Sequence, residues 1–151
     1  MAVDERGEHW LRRLDAGAWL RAARTELAAG EAQLESRRVA VTHARRGAGM
    51  AVNAVLMAQG LGDDELLRWG RSYIDHLRAL ADADEARAHP LSAASRAAAA
   101  QLLAIPVVPA SSSLIQLGLS PHSAAQQALT AARELVDDCA EVVARLSSRT
   151  A

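Results

Sequence analysis

From Ala44 to Gly60 the chain reads ARRGAGMAVNAVLMAQG. Wound as a helix at about 100° per residue, its second half places Val52, Ala54, Val55, Leu56 and Met57 in different directions around the axis. Only Asn53 and Gln59 interrupt that apolar ring. A helix apolar on every side has to be covered by neighbours, so the pattern predicts a central helix with at least three further helices or a partner subunit around it.

The neighbours are readable on either side. Residues 1 to 14 suggest a short leading helix with Trp10, Leu11 and Leu14 on one side. Asp15 reads as an N-cap for a first core helix carrying Ala16, Leu20, Ala23 and Leu27, with Gly30 near its stop. The central helix follows from about Ser36 to Gln59 and ends at Gly60, and the short turn there predicts an antiparallel return. A third helix opens on Asp63 and Asp64, favourable at the positive end of the helix dipole. It sets Leu66, Leu67, Gly70, Tyr73, Ile74, Leu77 and Leu80 against a ladder of alternating charge from Asp64 to Asp82. Pro90 suits the first turn of a fourth helix that buries Leu91, Ala94, Ala98, Leu102 and Ile105 before Pro106. The stretch from 106 to 119 is an unusually apolar connection. Ser120 as N-cap and Pro121 in the first turn then open a last helix whose stripe runs Ala125, Leu129, Ala132, Val136, Cys139, Val143, Leu146. Arg133 with Asp137, and Glu141 with Arg145, are spaced as surface pairs along it. No segment has the alternating period of a strand. The expectation is a single all-α domain spanning 1–151, an antiparallel helical bundle of about five main helices.

Composition narrows the class. A length of 151 residues with half of them apolar and 3% aromatic suits one domain built from small side chains in close helices, a core that favours helix over sheet. A formal charge of −1 supplies no general attraction to DNA or anionic lipid. A single Cys excludes an internal disulfide, no run reaches the roughly 18 apolar residues of a membrane span, and the charged opening residues do not read as a secretory signal. A cytoplasmic protein without membrane attachment is expected.

The segments AGAWLRAARTEL, ARRGAGMAVNAVLMAQG and LLRWGRSYIDHLRAL, together with TAARELVDDCAEVVARL near the C-terminus, resemble the HEPN domains of bacteria and archaea. The resemblance covers most of Ala16 to Leu146 and rests on Ala and Leu patterns. It departs from many family members at Gly49, Met50 and Asn53, where those carry Glu and Lys, and this weakens any polar site transferred to the central helix. It implies a four- to five-helix bundle, often dimeric, and in active members a metal-independent ribonuclease or toxin in which an Arg holds phosphate and a following His moves a proton. The match here is RSYIDH, with Arg71 and His76 as the candidate catalytic pair; a second is RRVAVTH, ending at His43. On an unbroken helix Arg71 and His76 diverge by about 140°, with Arg71 on the charge ladder. A break at Gly70 would change those directions.

Arg38, Arg45 and Arg46 form a candidate phosphate or RNA contact on the first half of the central helix. The alternative is a solvated helix start paired with Glu31, Glu35 or acids of a neighbouring helix. The few aromatics occupy core-like positions, so stacking platforms for bases are missing. Asn53 is a candidate buried polar group that needs partners, with Tyr73, Trp69 or a backbone carbonyl in reach. Cys139 reads as a buried small hydrophobe. The His residues are too scattered for a metal site, and no cofactor fingerprint occurs. These readings together predict a non-catalytic, HEPN-like interaction module, homodimeric through apolar surface, that binds a protein or RNA partner in a bacterial defence or regulatory system. The alternatives are a ribonuclease toxin using Arg71 and His76, and a structural accessory subunit.

Overall fold

The computed structural model describes residues 10–107 and 121–149. Within them the chain forms a 3-10 turn at Trp10–Arg13 and seven α-helices, with no strand: α1 (Ala16–Glu31), α2 (Arg37–Ala58), α3 (Asp63–Arg68), α4 (Tyr73–Asp82), α5 (Glu85–Ala88), α6 (Ala93–Ala104) and α7 (Pro121–Arg149). The first part of the expected leading helix, most of the 106–119 connection and the Ser120 cap lie outside the described residues.

Side-chain caps fix most starts. The Asp15 carboxylate accepts the Ala18 N–H at 2.8 Å, and the hydroxyls of Ser36, Ser72 and Ser92 accept from Val39, Asp75 and Ser95, each satisfying an orphan first-turn donor. At the other end of α2, Gly60 takes φ +66°, a conformation that glycine adopts without cost.

α2 is the centre. Every residue from Gly47 to Leu56 is buried, as the all-round apolar pattern requires. Its cover comes chiefly from α1, α4 and α7, with α6 and the 3-10 turn at the margins. Small residues set the spacing: a Cβ on Gly49 would sit 2.5 Å from the Cβ of Tyr73, and one on Gly47 3.1 Å from the Ala23 carbonyl oxygen. α1 and α2 are antiparallel, since Gly47 faces Ala23 while Glu26 bonds His43. α7 runs antiparallel to α1, with Arg24 reaching Asp137 at 3.5 Å and Glu31 bonding Arg133.

Four expectations are corrected. The third helix is two helices, because Gly70 at φ +94° breaks it and a Cβ there would meet the Asp75 side chain at 2.3 Å. The chain has already turned back through Gly60–Gly62, α3 and this corner when α4 begins. α4 therefore lies along α2 in the same sense, with Gly49 against Tyr73 and Asn53 against His76. The fourth helix starts at Ala93 behind its Ser92 cap, leaving Pro90 in the preceding turn. Arg133 and Asp137 pair across to α1 rather than with each other, because α1 brings opposite charge closer than one turn of α7 does.

Candidate functional site

α4 brings two of the candidate residues together from distant parts of the sequence. Tyr73, His76, Leu77 and Leu80 share the helix face directed at α2, and His76 and Asn53 are both 0% exposed. The His76 Nδ1 lies 2.5 Å from the Asn53 Oδ1. An amide oxygen can only accept, so Nδ1 carries the proton and donates. The Asn53 Nδ2 has no hydrogen-bond partner among the described residues. Asn53 thus finds a histidine, not the tyrosine, tryptophan or backbone carbonyl expected for it.

The 3-10 turn roofs this pair. The Trp10 ring stacks on His76 with centroids 5.9 Å apart and planes within 14°, and meets Trp19 and Tyr73 edge-on. Of three Trp and one Tyr in the chain, all but Trp69 gather here. The roof is tied down twice: the Trp19 Nε1 donates to the Leu11 carbonyl at 2.9 Å, and Arg12 bridges to Asp63 at 2.9 Å while donating to the Leu61 carbonyl. Burial pushes the Tyr73 phenol up, with Arg46 and Arg13 opposing and Glu26 adding.

Arg71 does not join this pair. The break at Gly70 is present, and Arg71 stands just ahead of the Ser72 cap. It is exposed where His76 is fully buried. Its main-chain N–H donates to the Asp75 carboxylate at 3.1 Å. Within one chain the ring of His76 presents no face on which a substrate held by Arg71 could rest.

The basic cluster of α2 is dispersed. Arg38 is exposed. Arg45 donates to the carbonyls of Leu103 and Ile105 at 3.2 and 2.7 Å, closing the C-terminal end of α6, where orphan carbonyls need donors. Burial and the nearby Arg78 charge lower its pKa. Arg46 approaches Glu26 at 3.4 Å, and the same carboxylate bonds His43 at 2.6 Å. Cys139 is 0% exposed, and burial, helped by the Asp138 charge, pushes its thiol far up, which disfavours the nucleophilic thiolate. Among the described residues no group of His, Cys, Asp and Glu is arranged to hold a metal ion, and no helix is long and apolar enough to cross a membrane.

The meeting of Asn53 with His76 escaped sequence reasoning, although a signal existed: each is the polar member of an otherwise apolar helix face. No family model, no curated protein and no solved structure matches the chain.

Proposed function

We propose that the chain is a non-catalytic, HEPN-like interaction module that binds a protein or RNA partner in a bacterial defence or regulatory system. The observation that carries this reading is the fate of the histidine in RSYIDH. His76 is 0% exposed, bonded to Asn53 and roofed by Trp10, so it serves the packing of α4 on α2 rather than proton transfer to a ligand, which needs contact with the reacting group.

The second reading is a metal-independent ribonuclease. One observation favours it: the break at Gly70 sets Arg71 beside the cap of α4, the condition under which the motif departs from continuous-helix geometry. That reading also requires Trp10 to leave the His76 ring. The test is incubation of the purified protein with total and transfer RNA beside an Arg71→Ala variant, whose exposed site leaves folding intact. No cleavage is expected from either. Cleavage by the wild-type protein that the variant loses, with unchanged circular dichroism, would establish the ribonuclease instead.

A further inference from the structure

Two hollows meet at the end of the bundle where α2 stops. One, of about 260 Å³, is lined by Arg68, Arg87 and Glu65, with Trp69 and Leu61 in its wall. The other, of about 150 Å³, is lined by Pro90 of the α5–α6 turn and by Val142, Arg145, Leu146 and Arg149 of α7. Gln59 and His89 line both, so the two hollows adjoin there and lie in series from α3 across the α5–α6 turn to the last turns of α7, a groove bridged midway by the Gln59–His89 hydrogen bond.

Three features of this groove point to a ligand. Its charge is one-sided: four arginines stand against Glu65, the one carboxylate that lines it. Those arginines are uncommitted, for no ion pair of the described residues includes any of the four, whereas Arg12, Arg24, Arg46 and Arg133 each meet an acid. The walls are also joined. The Arg87 guanidinium donates to the Arg68 carbonyl at 3.2 Å, and the Gln59 Nε2 donates to the His89 carbonyl at 3.4 Å. The Arg87 guanidinium, fixed this way, presents its remaining N–H donors to an incoming carboxylate in a fork that matches it.

We infer that this groove is the docking surface for an acidic segment of a protein partner, one in which Asp or Glu side chains alternate with aliphatic ones. The inference rests on the interaction-module reading and names its partner. Charge complementarity selects the acid. The aliphatic floor of Pro90, Val142 and Leu146 selects the apolar side chains between the acids. Single-stranded RNA fits less well, because base stacking needs an open aromatic face and the one aromatic in the groove, Trp69, is only 8% exposed.

The test is binding of the full-length protein to an array of synthetic 12-residue peptides. The array varies Asp/Glu number and Leu/Val content, includes neutral and basic scrambles, and is read in low and high salt beside a single-stranded RNA oligonucleotide. Peptides both acidic and aliphatic are expected to bind best. Screening predicts that their binding falls several-fold at high salt. An Arg87→Glu/Arg145→Glu variant is expected to bind roughly tenfold or more weakly, Arg87→Gln/Arg145→Gln to fall between, and Arg21→Glu, a charge change on exposed α1 surface, to match the wild type. Capture without preference for acids, acidic capture that the groove variants leave unchanged, preference for the RNA oligonucleotide, or no binding at all would each overturn the groove assignment. Only RNA cleavage lost on Arg71→Ala would overturn the module reading itself, so the two failures are distinguishable.

Discussion

At the scale of single residues, a costly placement among the described residues is Asn53 beside His76. Each is a polar group taken fully out of water, and each gains a hydrogen bond from the other that offsets part of that cost. Replacing one partner strands its mate. Asn53→Leu leaves the His76 Nδ1–H without its acceptor, and His76→Leu leaves the Asn53 amide without its donor. Each single change is expected to destabilise the fold by about 1–3 kcal/mol. The double variant should cost less than the two singles added, because no orphan remains, with a coupling of about 0.5–3 kcal/mol. Urea unfolding of the four proteins measures this directly, and strict additivity would show that the 2.5 Å contact carries no energy. The pair also shows what the sequence conveys and what it withholds. Asn53 stands out as an amide midway along an apolar ring, and His76 falls on the Tyr73, Leu77, Leu80 stripe, but which buried polar group meets which is decided by how α4 lies against α2. That placement depends on Gly49 letting Tyr73 approach and on the corner at Gly70, neither of which a helical period encodes.

At the scale of elements, the caps and most of the apolar stripes were legible, though Leu67 and Ala94, expected on buried faces, are exposed, while corners and directions were not. Asp15, Ser36 and Gly60 mark their helix ends because a local hydrogen bond or a positive φ is a property of the residue itself. The split between α3 and α4 was hidden because the leucine spacing continues through Gly70 as if the helix did. What makes the corner is a set of short-range contacts: Gly70 at φ +94°, the Ser72 hydroxyl on the Asp75 N–H, and the Asp75 carboxylate on the Arg71 N–H. That last bond, aided by Ser72 and the Arg78 charge and opposed by burial, holds the Asp75 carboxyl below its ordinary 3.8. A carboxyl whose pKa is lower folded than unfolded adds stability that is complete above the unfolded value and is lost as pH falls through the folded one. Thermal melts from about pH 6 down to about pH 2 should therefore show Asp75→Asn less stable than the wild type at the upper end, with the gap closing at the lower. A gap that stays constant with pH would mean that Asp75 contributes nothing by its charge.

At the scale of the whole molecule, a second copy is not needed to cover the central helix. Composition suggested that one chain leaves apolar surface uncovered, yet α2 is enclosed by helices of its own chain. Among the described residues only Leu14 at 36% and Leu67 at 48% are large apolar side chains left exposed. Both belong to one neighbourhood, because Arg12, two residues before Leu14, clamps Asp63 at the start of the helix that carries Leu67. A homodimer of this chain is therefore proposed to form there. Scattered single leucines are ordinary on monomers, so the decision belongs to solution behaviour. Light scattering during size-exclusion chromatography is expected to give twice the chain mass, with a melting temperature that rises with protein concentration, since association stabilises the folded form by mass action. Leu14→Glu/Leu67→Glu should return the monomer mass and remove the concentration dependence while leaving the far-ultraviolet spectrum unchanged. A wild-type protein already at monomer mass would remove the dimer from the proposal. A dimer that survives both substitutions would place its contact elsewhere on the surface and leave the corner at Arg71 open to solvent.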